Sequence, residues 1–137
     1  MKFAKGNEKL GSKCNVVSRA VGDTCPPSCT FFPAHNDKNG NDNPNKCYAD
    51  FTERRFPASR AAGLFNQITD KQKIRSLILT SIKQNRSIRL HERGDVGKNE
   101  GEIDLEYLDN WAWACQSVLD DGLELPHIWT YTHFYEP

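Results

Sequence analysis

The sequence contains no apolar run approaching the ~18 residues that a membrane-spanning helix needs, so no membrane span is expected. It also lacks a charge excess: 18 lysines and arginines balance 18 aspartates and glutamates. Net charge alone therefore gives no case for a nucleic acid or an acidic membrane as partner. The first residues, Met1-Lys2-Phe3-Ala4-Lys5-Gly6-Asn7-Glu8-Lys9, turn polar at once and carry no apolar signal core, and a cytoplasmic protein is expected. A second close cysteine pair, the usual mark of a zinc knuckle, is missing. So is the glutamate that closes an EF-hand loop, which removes calcium as a reading of the Asn- and Asp-rich stretch 35–46. With 137 residues, one domain spanning 1–137 and one modest core are expected.

What is present is concentrated between Cys25 and Cys47. Five cysteines occur, at 14, 25, 29, 47 and 115. In a reducing compartment metal binding outranks disulfides, and an odd count leaves one thiol unpaired in any case. Three residues separate Cys25 from Cys29, two of them Pro26 and Pro27, and seventeen separate Cys29 from Cys47. The prolines stiffen the backbone between the first two thiols. A pair on a stiff turn with a third thiol returned by a loop is a way of wrapping a metal centre. It reads first as an iron–sulfur site, second as zinc, third as a disulfide. Cys115 falls in a helical apolar stripe and reads as core packing. The intervening segment 30–46, rich in asparagine, is expected to be a mobile surface loop, and His35 within it to be solvated.

Along the rest of the chain the periodicities alternate. Asn15–Val21 is a β-branched run closed by Gly22-Asp23 and is expected to be the first strand. Residues 51–65 interleave Phe51, Phe56, Leu64 and Phe65 with Arg54, Arg55 and Arg60, and Pro57 interrupts any single helix. The expectation is a short amphipathic piece with its aromatics turned inward. The competing reading is a nucleic-acid contact, since aromatics among arginines suit single strands. Thr69-Asp70-Lys71-Gln72 has the form of a capping box and opens a helix over 69–85, with Ile74, Leu77, Ile78 and Ile82 on one face. Ser87–Glu92 follows as a strand, with Ile88 and Leu90 pointing one way and Arg89 and His91 the other, and ends in Gly94-Asp95. A Gly-rich connection over 96–101 leads to a helix over 102–121. Its expected stripe is Leu108, Trp111, Cys115, Val118 and Leu119, with Glu102, Asp104 and Glu106 at its N-terminal end and Gly122 at C′. The last strand, 128–134, is apolar on both faces and expected to be covered on both.

Strands alternating with helices imply an α/β fold with a small parallel sheet of three to four strands. Sites in such sheets gather at the C-terminal strand ends. The cysteine loop, Gly94-Asp95 and His133 all fall at that edge.

Several of these residues also carry a resemblance. Gly6-Asn7-x-Lys9-Leu10-Gly11, Thr24-Cys25-Pro26-x-x-Cys29, Cys47-Tyr48-Ala49, Arg89-x-His91-x-x-Gly94-Asp95, Tyr107 and Trp111, and Thr130-Tyr131-Thr132 occur in that order. In this the chain resembles the phage and bacterial gene product eighty-eight family, itself similar to radical S-adenosylmethionine enzymes. The resemblance implies a [4Fe–4S] cluster on Cys25, Cys29 and Cys47, with one iron open to the amino and carboxylate groups of S-adenosylmethionine. It implies Asp95 and His91 as catalytic candidates near that iron, and Gly94, Arg89 and His133 as cofactor-binding candidates, Arg89 holding a carboxylate or phosphate. Expected partners are an electron-donor protein and a second copy of the chain, and the location is the host cytoplasm if the chain is phage-encoded. The sequence departs from the radical-enzyme pattern C-x-x-x-C-x-x-C in its late third cysteine. It is also shorter than the ~200 residues of a full barrel, so half of a radical-enzyme (β/α) barrel is expected. Cys14, as a fourth ligand, would close the cluster and leave electron transfer or a structural role. The alternative function is a nucleic-acid-binding phage accessory protein with a structural zinc or cluster.

Overall fold

In the computed structural model the described residues are 1–2, 4–5, 13–22, 24–29, 47–67, 70–98 and 101–134. The motif at 6–11, His35, the Asn-rich segment 30–46 and Thr69 lie outside them. Among the described residues the chain runs β1 (Ala4–Lys5), β2 (Cys14–Val17), α1 (Tyr48–Arg55), α2 (Pro57–Gln67), α3 (Lys71–Lys83), β3 (Ser87–Leu90), β4 (Gly97–Lys98), β5 (Glu102–Ile103), α4 (Leu105–Asp120) and β6 (Ile128–Thr130). The main sheet has the order β1-β2-β3-β6, and β4 pairs with β5 as a separate ribbon.

β2, β3 and β6 are parallel, and β1 is antiparallel to β2. The fold is thus α/β around a small parallel sheet. Val17 lies opposite Leu90, and Leu90 opposite Thr130. The three parallel strands therefore end at one level, and three loops leave side by side: 18–29, 91–96 and 131–134. This register decides where chemistry can gather. Along β3, Ile88 and Leu90 are buried while Arg89 is half-buried, as a period of two demands.

The core is made by α3 and α4 lying on the sheet. Val17, Ile88 and Leu90 of the strands meet Ile74, Leu77 and Ile78 of α3 and Tyr107, Trp111, Ala114 and Val118 of α4. α3 starts where the side chain of Asp70 accepts the Gln72 N–H at 2.6 Å, relieving one of the open donors of the first turn. It ends before Asn85, which takes φ +50°. α4 starts at Asp104, whose carboxylate accepts the Tyr107 N–H at 3.2 Å, and Gly122 follows its C-cap at φ +76°. Among the described residues no helix is long and apolar enough to cross a membrane.

Five expectations are corrected. The first strand is shorter than Asn15–Val21: it covers Cys14–Val17, and Ser18 to Val21 continue as buried irregular chain. The aromatics of 51–65 turn outward, not inward: Phe51, Phe56, Leu64 and Phe65 are all exposed. The inward positions are taken by Glu53, Gly63 and Asn66. Irregular buried chain has no ladder to satisfy its polar groups, and these side chains supply the partners. Asn66 Nδ2 donates to the carbonyls of Lys2 and Ser18, both at 2.8 Å, and its Oδ1 accepts the Lys2 N–H. The inward stripe of α4 is Tyr107, Trp111, Ala114 and Val118; Leu108 and Leu119 face out, and Glu102 sits in β5 before the helix. The connection over 96–101 carries the first strand of the β4–β5 ribbon, with Gly97 opposite Ile103. Finally, the strand expected over 128–134 stops at Thr130 and is a half-exposed edge, paired among the described residues with β3 alone.

Gly63 shows how closely α2 sits on the chain leaving β2. A Cβ there would meet Ala20 N at 2.8 Å and Ala20 Cα at 3.0 Å. In a free helix Gly→Ala gains about 1 kcal/mol. Here Gly63→Ala is expected to destabilise by at least about 1 kcal/mol, read as a lower midpoint in urea unfolding. A gain in midpoint would show that α2 does not lie against Ala20.

Candidate functional site

The three loops at the C-terminal strand ends enclose a cavity of about 250 Å³. That is close to the lower end of small-ligand pockets, ~300 Å³. Cys25, Cys29 and Cys47 all line it, together with Arg89, His91, Gly94 and His133. Three thiols from two remote segments, and four of the five other candidate residues, therefore share one space. Its remaining wall includes Tyr48, Ala49 and Tyr131. The two tyrosines are 67% and 71% exposed, which puts both at the mouth.

The cysteine loop is shaped by local hydrogen bonds. Cys25 N–H donates to Gly22 O at 3.2 Å and Cys29 N–H to Pro26 O at 3.0 Å, so the prolines stand inside a tight turn. Cys47 is the N-cap residue of α1, and its carbonyl accepts the Phe51 N–H at 3.2 Å. Thr24, next to the first thiol, fastens the turn to the sheet. Its hydroxyl donates to Ala20 O at 2.7 Å and accepts the Asp95 N–H at 2.9 Å. Its carbonyl accepts the Gly97 N–H at 2.9 Å.

Asp95 does not line the cavity; it stands behind the wall, fully buried. Oδ1 accepts from the Thr132 hydroxyl at 2.6 Å and the Val96 N–H at 2.7 Å, and Oδ2 accepts the His133 N–H at 2.7 Å. The carboxylate thus holds the chain after β6 against the loop after β3. Gly94 takes φ +72°, and a Cβ there would lie 2.5 Å from Arg19 O and 2.7 Å from Thr24 Oγ1. Only glycine allows the loop so close to its neighbours.

His91 sits at φ +56°, a strained setting for a histidine. Its N–H donates to Val17 O at 2.7 Å. Both ring nitrogens are engaged, Nδ1 2.7 Å from Thr130 Oγ1 and Nε2 2.9 Å from Tyr107 OH. Burial lowers its pKa to about 4; Asp95 opposes that shift and Arg19 adds to it. The imidazole is therefore neutral near pH 7 and ties β6 to α4. Thr130 and Thr132, alternate residues of the Thr-Tyr-Thr motif, hold His91 and Asp95, which leaves Tyr131 on the cavity side.

Two charged residues that frame the site were not singled out from the sequence. Arg19 is 1% exposed. Its guanidinium pairs with Asp104 Oδ2 at 2.7 Å, donates to Gly97 O at 3.0 Å and lies 4.1 Å from the Tyr107 ring centroid. The only sequence signal was an arginine inside an otherwise apolar run. Glu53 is equally buried; it accepts the Val21 N–H and pairs with Arg60 at 3.2 Å and Arg93 at 3.4 Å. Burial raises its carboxyl, while the Val21 hydrogen bond and the arginines pull it back. Nothing in its neighbourhood of sequence marked it out. Tyr48 completes the frame by donating to Glu92 O at 2.9 Å.

Burial pushes the Cys25 thiol up to about 11, and Asp95, Cys47 and Cys29 act in the same direction. In metal-free protein Cys25 is thus a thiol near pH 7, and a metal must displace its proton. Among the described residues no three His, Cys, Asp or Glu side chains come together closely enough to bind one ion. On the cavity wall, the Arg89 Nε is buried with no hydrogen-bond partner among the described residues, although its guanidinium reaches Glu92 at 3.7 Å. Cys14 is buried at the start of β2, three residues upstream of the strand end that borders the cavity, about 10 Å away at the rise of a strand. Cys115 is half-buried against the core of α4. Neither lines the cavity.

His91 sets a pH dependence with a definite sign. Its folded pKa lies below the unfolded value of about 6.5, so the unfolded chain takes up a proton first as pH falls. The stabilisation is complete above pH 6.5 and is lost as pH falls towards 4, by about 3 kcal/mol in total. His91→Asn, a residue that tolerates φ > 0, is expected to flatten the slope of unfolding free energy against pH between 6.5 and 4. An unchanged slope would remove His91 as its source. Comparison of the chain with family models, curated proteins and solved structures finds no match.

Proposed function

We propose that this chain is an iron–sulfur protein in which Cys25, Cys29 and Cys47 are the thiolate ligands of a [4Fe–4S] cluster. The observation that carries the reading is the sharing of one 250 Å³ cavity by these three thiols, drawn from both ends of a long insertion. A single close cysteine pair, with three residues between Cys25 and Cys29, supports a polynuclear group over a zinc knuckle, which shows two close pairs. A zinc ion needs all its sulfurs within about 2.3 Å of one centre, whereas in a cubane cluster each thiolate ligates its own iron. The strand–helix succession and the position of the cavity at the C-terminal strand ends support the further reading of a half-barrel related to radical S-adenosylmethionine enzymes.

A cluster held by Cys25, Cys29 and Cys47 would supply one-electron chemistry, and with three protein ligands it would have room for S-adenosylmethionine. The chain's own residues then have defined tasks. Thr24 fixes the turn that presents Cys25 and Cys29, and α1 presents Cys47 from its N-cap. Arg89, which lines the cavity, offers a charged donor to a carboxylate or phosphate entering it. Asp95 acts by positioning the 131–133 segment, and His91, neutral and hydrogen-bonded on both nitrogens, fixes the strand ends around the site. Tyr48 and Tyr131 shield the mouth from water.

Protein purified without oxygen is expected to be brown, with about four irons and four sulfides per chain. Cys25→Ser, Cys29→Ser and Cys47→Ser should each lose most of the iron, while Cys14→Ser and Cys115→Ser should keep it. Colourless protein with one zinc per chain would replace the cluster by a zinc staple. Loss of iron in the Cys14 variant would mean a closed, four-thiolate site. A change in the electron paramagnetic resonance of the reduced cluster on adding S-adenosylmethionine is expected if the open iron takes that ligand; an unchanged spectrum removes it.

A further inference from the structure

We propose that this chain pairs with a second copy of itself, the basic apolar face of α1–α2 on one copy lying against the acidic leucine seam of α4 on the other. The inference is independent of the cluster. It starts from a charge distribution that the neutral total conceals. Residues 1–98 hold all 18 lysines and arginines but only 9 of the 18 acidic residues, a net +9. Residues 99–137 hold the other 9 acidic residues and no lysine or arginine, a net −9.

Each half presents an apolar helix face among its own charges. On α4, Leu105, Leu108, Ala112, Cys115 and Leu119 recur at alternating steps of three and four, a seam of the coiled-coil type. It lies beside the buried stripe, with Cys115 half-buried where the two meet. Leu105 is 66% exposed, and Leu108 and Leu119 are also exposed. Asp109 and Asp120, both exposed, border this seam on one side, and α4 carries no basic residue. Packing α4 on a second α4 would set like charges against each other. On α1–α2 the outward residues are Phe51, Phe56, Ala58, Ala61, Leu64 and Phe65, opposite the buried Glu53, Gly63 and Asn66. Arg54 and Arg55 are exposed on the same side of α1, and Lys2 and Lys73 stand 5.2 and 5.8 Å from the Phe65 ring centroid.

The two faces match in sign, in apolar character and in relief. The small Ala58 and Ala61, three apart on α2, leave room for the leucine knobs of α4. Opposed charge selects the pairing and gives it a salt dependence. Single-stranded nucleic acid would use the basic face alone and leave the leucine seam bare. That bare seam is why a second copy is favoured.

The test is charge exchange. Wild-type protein, with or without metal, is expected to rise in mass from one chain towards two or more with concentration in sedimentation or light scattering, and to fall back to one chain in about 1 M salt. Arg54→Glu with Arg55→Glu, and separately Asp109→Lys with Asp120→Lys, alter exposed side chains outside the cavity. Each double variant alone should remain one chain, with an unchanged circular dichroism spectrum. An equimolar mixture should recover the wild-type mass, because each reversed face now meets a reversed partner. Wild type that stays monomeric at every concentration, or a mixture that stays monomeric, overturns the proposal. So does binding of a fluorescent oligonucleotide or of anionic vesicles by monomeric wild type, lost in the Arg54/Arg55 variant. The cluster is read separately by iron content, so failure of one proposal leaves the other standing.

Discussion

Arg19 is a guanidinium with almost no contact with water, and much of the architecture near the site follows from satisfying it. A buried cation costs several kcal/mol unless charge and hydrogen bonds are returned to it. Asp104 returns the charge, Gly97 the carbonyl and Tyr107 an aromatic face. These three come from the N-cap of α4, the β4–β5 ribbon and the first turn of α4. One side chain leaving β2 thus sets where the last helix begins and where the loop after β3 must pass. The backbone of Arg19 does the same at closer range, since its N–H donates to Arg93 O at 3.0 Å and its carbonyl allows only a glycine at 94.

From that anchor the cavity is built by carboxylates and threonines that do not face it. Asp95 binds the chain after β6, Thr24 binds Asp95 and the turn before Cys25, and Glu53 binds the backbone of Val21 to two arginines. The groups that face the cavity include the three thiols, Arg89, His91, His133 and the two exposed tyrosines. The division is sensible physically. A wall satisfied from behind keeps its inner surface available.

The same logic separates what could be read early from what could not. The α3 and α4 helices were legible because an apolar period and an acidic cap agree within each segment, with Asn85 after α3 and Gly122 after α4. β3 was legible because Ile88 and Leu90 alternate with Arg89 before a glycine. The thiol set was legible because prolines and a long insertion punctuate it. The orientation of α1–α2 was not. A pattern of aromatics predicts which residues would gain from burial, but Glu53 and Asn66 were buried instead because irregular backbone at Val21, Lys2 and Ser18 required partners. Asp95 was visible only as a choice between touching a ligand and fastening a turn; its carboxylate accepts from Val96, Thr132 and His133.

Local chemistry along the chain determined the elements themselves: strands where β-branched residues cluster, helices where caps and periods coincide, turns at glycine and proline. These depend on neighbours within a few residues, and the sequence carries them directly. Tertiary structure alone decided that Cys25, Cys29, Cys47, Arg89, His91 and His133 share one space. It also decided which polar side chains are buried and which apolar ones are left outside. Those outcomes follow from parallel strands ending in register and from the demand that every buried charge and amide find a partner, and both conditions join residues tens of positions apart.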